Sequence, residues 1–148
     1  MDQKRLIQEI QEGQTVLGIE LGSTRIKAIL INSENEVIAQ GGHDWENTLL
    51  DGIWTYSLDD VWKGISSCFA ELKAEVKGKY GVILKRTKAM GVSAMMHGYL
   101  AFDKEGELLV PFRTWRNTMT SAAAEQLSEL FDYPVPERWS ISHLYQAI

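Results

Sequence analysis

A single cysteine, Cys68, stands among the 148 residues. That count excludes a disulfide within the chain and any multi-cysteine metal site, and it suits a reducing compartment. Long hydrophobic runs are missing too: nothing approaches the ~20 apolar residues of a membrane-spanning helix. The opening Met1-Asp2-Gln3-Lys4-Arg5 continues into polar Gln and Glu, not the apolar core of a signal peptide. Basic clusters are absent as well. Fifteen Lys and Arg stand against 20 Asp and Glu, a net charge of −5, with both signs scattered. A footprint for DNA, RNA or an anionic membrane would need clustered cations. There are no internal repeats, no low-complexity tract and no G-x-x-x-x-G-K-[ST] phosphate loop. These absences predict a cytoplasmic protein with no nucleic-acid or membrane partner, of a length that fits one domain.

The richest stretch runs from Leu17 to Ile31. Two apolar, strand-like runs flank the turn Gly22-Ser23-Thr24, and a carboxylate, Glu20, sits at the end of the first run. Such a turn offers backbone N–H groups and two hydroxyls to an anion, as concave backbone nests do. Glu20 is placed to hold a divalent metal beside that anion, directly or through water. The competing reading is a plain hairpin in which Gly22 only supplies a positive φ. Two features favour chemistry. An acid in an almost wholly apolar strand is costly without a partner, and the turn lacks the Asn-Gly or Asp-Gly pair of a structural two-residue hairpin.

Around that stretch the chain alternates strand and helix signals. Leu6, Ile7 and Ile10 give residues 1–14 a weak helical stripe ending near Gly13. Val16–Leu21, Ile26–Ile31 and Glu36–Gln40 read as an antiparallel meander with a polar turn at Asn32–Asn35. Ser57 followed by Asp59 and Asp60 marks a helix start. The stripe Trp62, Ile65, Phe69, Leu72, Val76 continues it until Gly78 to Gly81. Ala89–Ala94 is a fourth strand, leading into Met95-Met96-His97-Gly98. Tyr99–Phe102 and Leu108–Val110 read as a hairpin around Asp103-Lys104-Glu105-Gly106. Ala123, Ala124, Leu127, Leu130 and Phe131 mark another helix. In the last segment Ser140 reads as an N-cap, and Ile141, Leu144, Tyr145 and Ile148 fall at i, i+3, i+4 and i+7. The final residue is apolar, with no Gly, Asn or basic turn to finish the helix. Truncation is therefore the expectation, with a docked C-terminal helix as the alternative.

A meander with a phosphate turn, then helix, strand and more helix, is the order of the ribonuclease-H-like, or actin-like ATPase, fold. More closely, the chain resembles the FGGY carbohydrate kinases, and among them the xylulokinase-like members. Gly18-Ile19-Glu20-Leu21-Gly22-Ser23-Thr24-Arg25-Ile26-Lys27 looks like that family's first phosphate motif, G-I-D-x-G-[TS]-[TS]-x-x-[KR]. Ser93-Ala94-Met95-Met96-His97-Gly98 resembles its sugar-contacting G-Q-M-H-G segment. Phe102-Asp103-Lys104-Glu105-Gly106, followed by Pro111 to Thr118, is similar to its L-D-x-x-G … P-x-I-L-W-N-D stretch. The likeness runs from about position 16 to the end.

The resemblance implies an α/β chain with a mixed sheet, an antiparallel meander and flanking helices. Residues 1–148 would be the front of the first of two actin-like domains that close over ATP and a sugar. It implies transfer of the γ-phosphate of MgATP to a hydroxyl of a small sugar, a ketopentose or related polyol. Gly22, Ser23, Thr24 and Lys27 would bind the phosphates and Glu20 would hold Mg²⁺. Met96, His97, Trp115, Arg116 and Asn117 would line the sugar end. The family's catalytic-base aspartate and adenine pocket lie in later segments, outside these residues, so the chain alone is expected to be inactive. A homodimer of the full-length protein is compatible with all of this. Two departures stand out: Glu20 replaces the usual Asp, and Arg116-Asn117-Thr118-Met119 replaces N-D-x-R. The exchange of acid for amide leaves the sugar's identity open.

Several residues admit a second reading. Trp115 beside Arg116 offers an aromatic face and a forked donor to a polyol, or is a partly buried tryptophan. Lys27 neutralises phosphate or points to solvent. Arg113 reads as solvated or salt-bridged, and Trp45, Trp54 and Trp62 as core and loop cover. Two other functions also fit the chain: an actin-like ATPase that activates a protein partner, and a non-catalytic docking fragment whose exposed apolar edge is the working surface.

Overall fold

The computed structural model describes residues 2–148. In chain order the elements are α1 (Gln3–Glu12), β1 (Val16–Leu21), β2 (Arg25–Ile31), β3 (Val37–Asp44), β4 (Thr48–Leu50), β5 (Ile53–Thr55), α2 (Leu58–Tyr80), β6 (Ala89–Ala94), α3 (Ser121–Phe131) and α4 (Ser140–Ala147). They divide into two compact units. The first takes the chain up to Glu46 together with Asp59–Met95, and the second takes Asn47–Leu58 and Met96–Ile148.

The first unit is built on a four-stranded sheet of order β3-β2-β1-β6. The three meander strands pair antiparallel, while β6 returns parallel to β1, which requires the long crossover that α2 provides. The register sets Gly18 opposite Ile29 and Gly91, and Glu20 opposite Lys27 and Ser93. Alternation along β2 sends Ile26, Ala28 and Leu30 into the core and leaves Arg25, Lys27 and Ile29 on the outer face. The core joins Ile10 of α1, Leu17 of β1 and Cys68, Leu72 and Val76 of α2. α1 is anchored through Glu9, whose carboxylate accepts from the Ser33 N–H and hydroxyl.

β3 runs four residues beyond the expected Gln40. The pair Gly41-Gly42 looks like a strand end, yet it is where the helix comes closest. A Cβ at Gly41 would lie 2.0 Å from the Cys68 carbonyl oxygen. The same close approach revises the reading of α2. Its buried face is Gly64, Cys68, Leu72 and Val76, whereas Trp62 is 65 % exposed and lies outside the core. Gly64 and Cys68 take the first half of that stripe because small residues let the helix backbone approach the strands, while Leu72 and Val76 fill the second half as expected. Gly78 is an ordinary helical position, and Gly81, at φ 71°, follows the last turn.

The second unit has a β4–β5 hairpin that the pattern reading missed. Its turn is Asp51-Gly52, both at positive φ, a standard hairpin signal. Three-residue strands are too short to show a period of two. The expected hairpin after Tyr99 is reduced to two isolated bridges, Tyr99–Arg113 and Phe102–Leu108. α3 buries Ala123, Ala124 and Leu127, leaving Leu130 and Phe131 exposed. α4 inverts the orientation that a docked C-terminal helix, the alternative to truncation, would take. Ser142 and His143 are buried, while Ile141, Leu144, Tyr145 and Ile148 are exposed. Trp139, not Ser140, is the N-cap. Hydrogen bonds explain the inversion: the Ser142 hydroxyl donates to the Pro136 carbonyl and that of Ser140 to Gly98.

Candidate functional site

The phosphate-type turn lies at the ends of β1 and β2. The Gly22 N–H donates to the Arg25 carbonyl at 3.0 Å. A Cβ on Gly22 would sit 2.8 Å from that oxygen, so only glycine fits the bend as built. Trp45 fastens the turn from behind. Its indole N–H donates to the Gly22 carbonyl at 2.7 Å and its backbone N–H to Thr24 at 3.1 Å. With those two carbonyls tied to Trp45, the hydroxyls of Ser23 and Thr24 are carried on a fixed loop. From sequence, Trp45 reads as core or loop cover. Nothing in its spacing reveals that it braces the turn.

The expected cost of an acid in an apolar strand does not arise at Glu20. The acid is not buried: its carboxylate lies on the outer face of the sheet, 3.4 Å from the Lys27 ammonium across the strand pair. Both side chains are more than half exposed, so the pair is worth little to stability. Its effect is to fix charge. A lysine once assigned to phosphate and a carboxylate once assigned to metal neutralise each other here. No group of three or more His, Cys, Asp or Glu that could hold a metal occurs among the described residues. Mg²⁺ does not need one, because it keeps several waters and binds through one or two carboxylates plus phosphate oxygens.

In the first unit the Met95 N–H also donates to the Leu21 carbonyl, extending the β1–β6 pairing past Ala94. His97 and Gly98 follow in the second unit at φ 69° and 119°. A histidine in the left-handed region carries strain of about 1–3 kcal/mol, a cost that clusters at functional positions. Gly98 is needed twice over, since its φ disfavours other residues and an added Cβ would lie 2.9 Å from the Arg113 carbonyl. The His97 ring stacks on Trp139 at 6.4 Å, while Met96 is 76 % exposed.

The remaining sugar-end residues are organised by β5. The Asn117 carbonyl oxygen accepts from the Trp54 N–H at 2.9 Å, and its amide donates to the Trp54 and Thr114 carbonyls. Asn117 is only 3 % exposed. It fixes the loop and does not present its amide to solvent. Arg116 sits over two indoles, 4.9 Å from the Trp54 ring centre and 5.4 Å from that of Trp115, and donates to the Asn47 Oδ1 at 3.1 Å. Trp54 and Asn47 were not among the predicted site residues, because the hairpin that carries them was not foreseen. Arg113 forms no salt bridge among the described residues and is only partly solvated: its Nε and Nη1 are buried without a hydrogen-bond partner, over the Tyr99 ring. His143 stacks on Tyr99, and burial together with Arg113 lowers its pKa below the ordinary 6.5.

A mixed sheet ordered β3-β2-β1-β6, with a braced Gly-Ser-Thr turn at the β1–β2 junction, defines an α/β protein of the actin-like ATPase fold. Residues 15–137 match the model of the FGGY family of carbohydrate kinases, N-terminal domain, and the chain belongs to that family. The xylulose kinase of Klebsiella pneumoniae is 25 % identical over 114 residues, covering 76 % of this chain and 22 % of that protein. The L-fuculokinase of Haemophilus influenzae is 23 % identical over 118 residues, covering 76 % of this chain and 24 % of that one. Among solved structures, the xyloylose kinase of Brucella ovis superposes with a TM-score of 0.74 at 20 % identity, over 88 % of this chain and 28 % of that one. The chain thus spans about a quarter of the length of the relatives it matches. No described helix is long and apolar enough to cross a membrane.

Proposed function

We infer that these 148 residues form the front part of the first domain of an ATP-dependent sugar kinase. The polypeptide would transfer a phosphoryl group to a hydroxyl of a small sugar in the cytoplasm. The observation that carries the reading is the braced turn beside Glu20, in a chain of the FGGY family. Bound MgATP supplies the transferable phosphoryl group, with the metal offsetting phosphate charge. Phosphoryl transfer depends chiefly on positioning and charge neutralisation, which is what this chain's residues offer.

Gly22, Ser23 and Thr24 present a fixed set of donors to the phosphates, held by Trp45. Glu20 would hold Mg²⁺ through one of its waters and Lys27 would offset phosphate charge, two roles that replace their 3.4 Å pairing with each other. His97 offers a ring nitrogen to a sugar hydroxyl, with Gly98 allowing close backbone approach and the exposed Met96 thioether free to pack on the bound sugar. Trp115 gives an aromatic face and Arg116 a donor fork, both carried on the loop that Asn117 fixes. The carboxylate base that accepts the hydroxyl proton comes from sequence beyond Ile148. Closure of two domains would exclude water and suppress plain hydrolysis of ATP.

Coupled ADP release by the complete gene product, assayed against a panel of pentuloses, hexuloses and polyols, tests the reading. Sugar-dependent release is expected. Hydrolysis indifferent to every sugar would replace it with a partner-activating ATPase. Gly22→Ala forces the turn off the Arg25 carbonyl and is expected to raise the KM for MgATP by at least about tenfold, a loss of ~1.4 kcal/mol in phosphate binding.

A further inference from the structure

We propose that the sugar end selects for negative charge: Arg116 is a specificity residue for a sugar acid, whose carboxylate docks on its guanidinium. The inference rests on the kinase reading for the role of this site and adds the substrate's chemical class. Arg116 forms no ion pair among the described residues, whereas Arg25 and Lys27 are neutralised by Asp44 and Glu20. It is held by neutral groups alone. Trp54 and Trp115 lie under the guanidinium at 4.9 and 5.4 Å, and one N–H donates to the buried Asn47.

The support is itself rigid. The Asn47 amide donates to the Tyr56 hydroxyl. On the other side, the Thr114 N–H donates to the Trp54 carbonyl and Asn117 clasps the Trp54 backbone. An arginine oriented in this way has given up its rotamer freedom without gaining a counter-charge, and its remaining donors form a planar fork. The next residue, Asn117, is an amide, so no carboxylate there competes for the cation. Trp115 is 40 % exposed and gives a polyol chain a face to lie on. One flat fork with one charge matches the flat, singly charged carboxylate better than the doubly charged tetrahedral phosphate of a sugar monophosphate.

The test compares the complete gene product on five- and six-carbon aldonates, the neutral ketoses and aldoses of the same lengths, and their monophosphates. Two readouts are taken: calorimetric binding without nucleotide, and MgATP-dependent turnover. A tenfold or greater preference for aldonates is expected in both. Arg116→Gln should reduce the acid-to-neutral ratio of kcat/KM at least tenfold through KM, with Arg116→Lys retaining part of it. A merely structural role would lower both substrates together and leave the ratio intact. A wild-type preference for neutral sugars or sugar phosphates, or an unchanged ratio in Arg116→Gln, overturns the proposal. Aldonate binding that depends on Arg116 but leads to no phosphorylation upholds it and removes the kinase reading instead.

Discussion

His143 shows how one side chain sets a pH limit on its unit. Its ring is fully buried, stacked on Tyr99, with neither nitrogen hydrogen-bonded, and Arg113 is the charged group that lowers its pKa together with burial. The folded state therefore holds the neutral ring and binds its proton later than the unfolded chain, whose pKa is about 6.5. Stability from this residue is complete above pH 6.5 and is lost as pH falls from there toward the lower folded value. Unfolding free energies from urea titrations between pH 8 and 5 should decline in that window, with a slope of up to ~1.4 kcal/mol per pH unit. His143→Phe keeps the stack and should flatten the decline. Glu9 acts at more acid pH and in the other unit. The Ser33 hydroxyl and N–H, joined by Arg5, hold its carboxyl below the usual 4.5. Its contribution, present above 4.5, disappears only as pH falls through the depressed value. None of this was legible in the sequence. The apolar stripe of the last helix draws the eye to Ile141 and Leu144, and it is the hydroxyl contacts of Ser140 and Ser142 that turn His143 inward.

Among the elements, β3 and β6 form the two edges of the sheet and are treated very differently. α2 reaches over the β3 edge with two carboxylates: Glu71 accepts from the Gly42 N–H at 2.7 Å and Glu75 from that of Gln40. Lys79 hydrogen-bonds Glu75 and lowers its pKa, keeping the acceptor charged. Blocking an open edge with charge is a common guard against strand-to-strand association. Glu71→Ala with Glu75→Ala should cost about 1 kcal/mol per lost hydrogen bond. The pair should also increase self-association, detectable by sedimentation. Gly41→Ala is a harsher change, since backbone atoms of Cys68 and Leu72 occupy the space of the new methyl. A destabilisation of roughly 3 kcal/mol or more is expected in chemical denaturation. The sequence pattern locates β1 and β6 to the residue, because short, mostly apolar runs bounded by turns leave little choice. It stopped β3 early and put Trp62 in the core, because close helix–sheet contact selects glycine and cysteine, which carry almost no periodic signal.

At the scale of the whole molecule, the apolar surfaces argue for covering partners within the longer polypeptide proposed above. Register places Met90 and Val92 on the core side of the sheet, level with Leu17 and Ile19, yet they are 62 % and 61 % exposed. In the second unit the Ile141, Leu144, Tyr145 and Ile148 face of α4 is exposed as well. Exposed apolar faces of this kind, one in each unit, mark a docking face or an aggregation liability. The 148 residues expressed alone should therefore bind a hydrophobic dye such as ANS and self-associate, and show no sugar-dependent release of ADP. Met90→Lys with Val92→Lys should reduce both dye binding and association of the isolated chain. The same pair should impair folding of the complete gene product, where those positions would be interior. If the pair leaves the complete gene product fully stable and active, the β6 face is solvent-exposed in the whole protein and the covering argument fails.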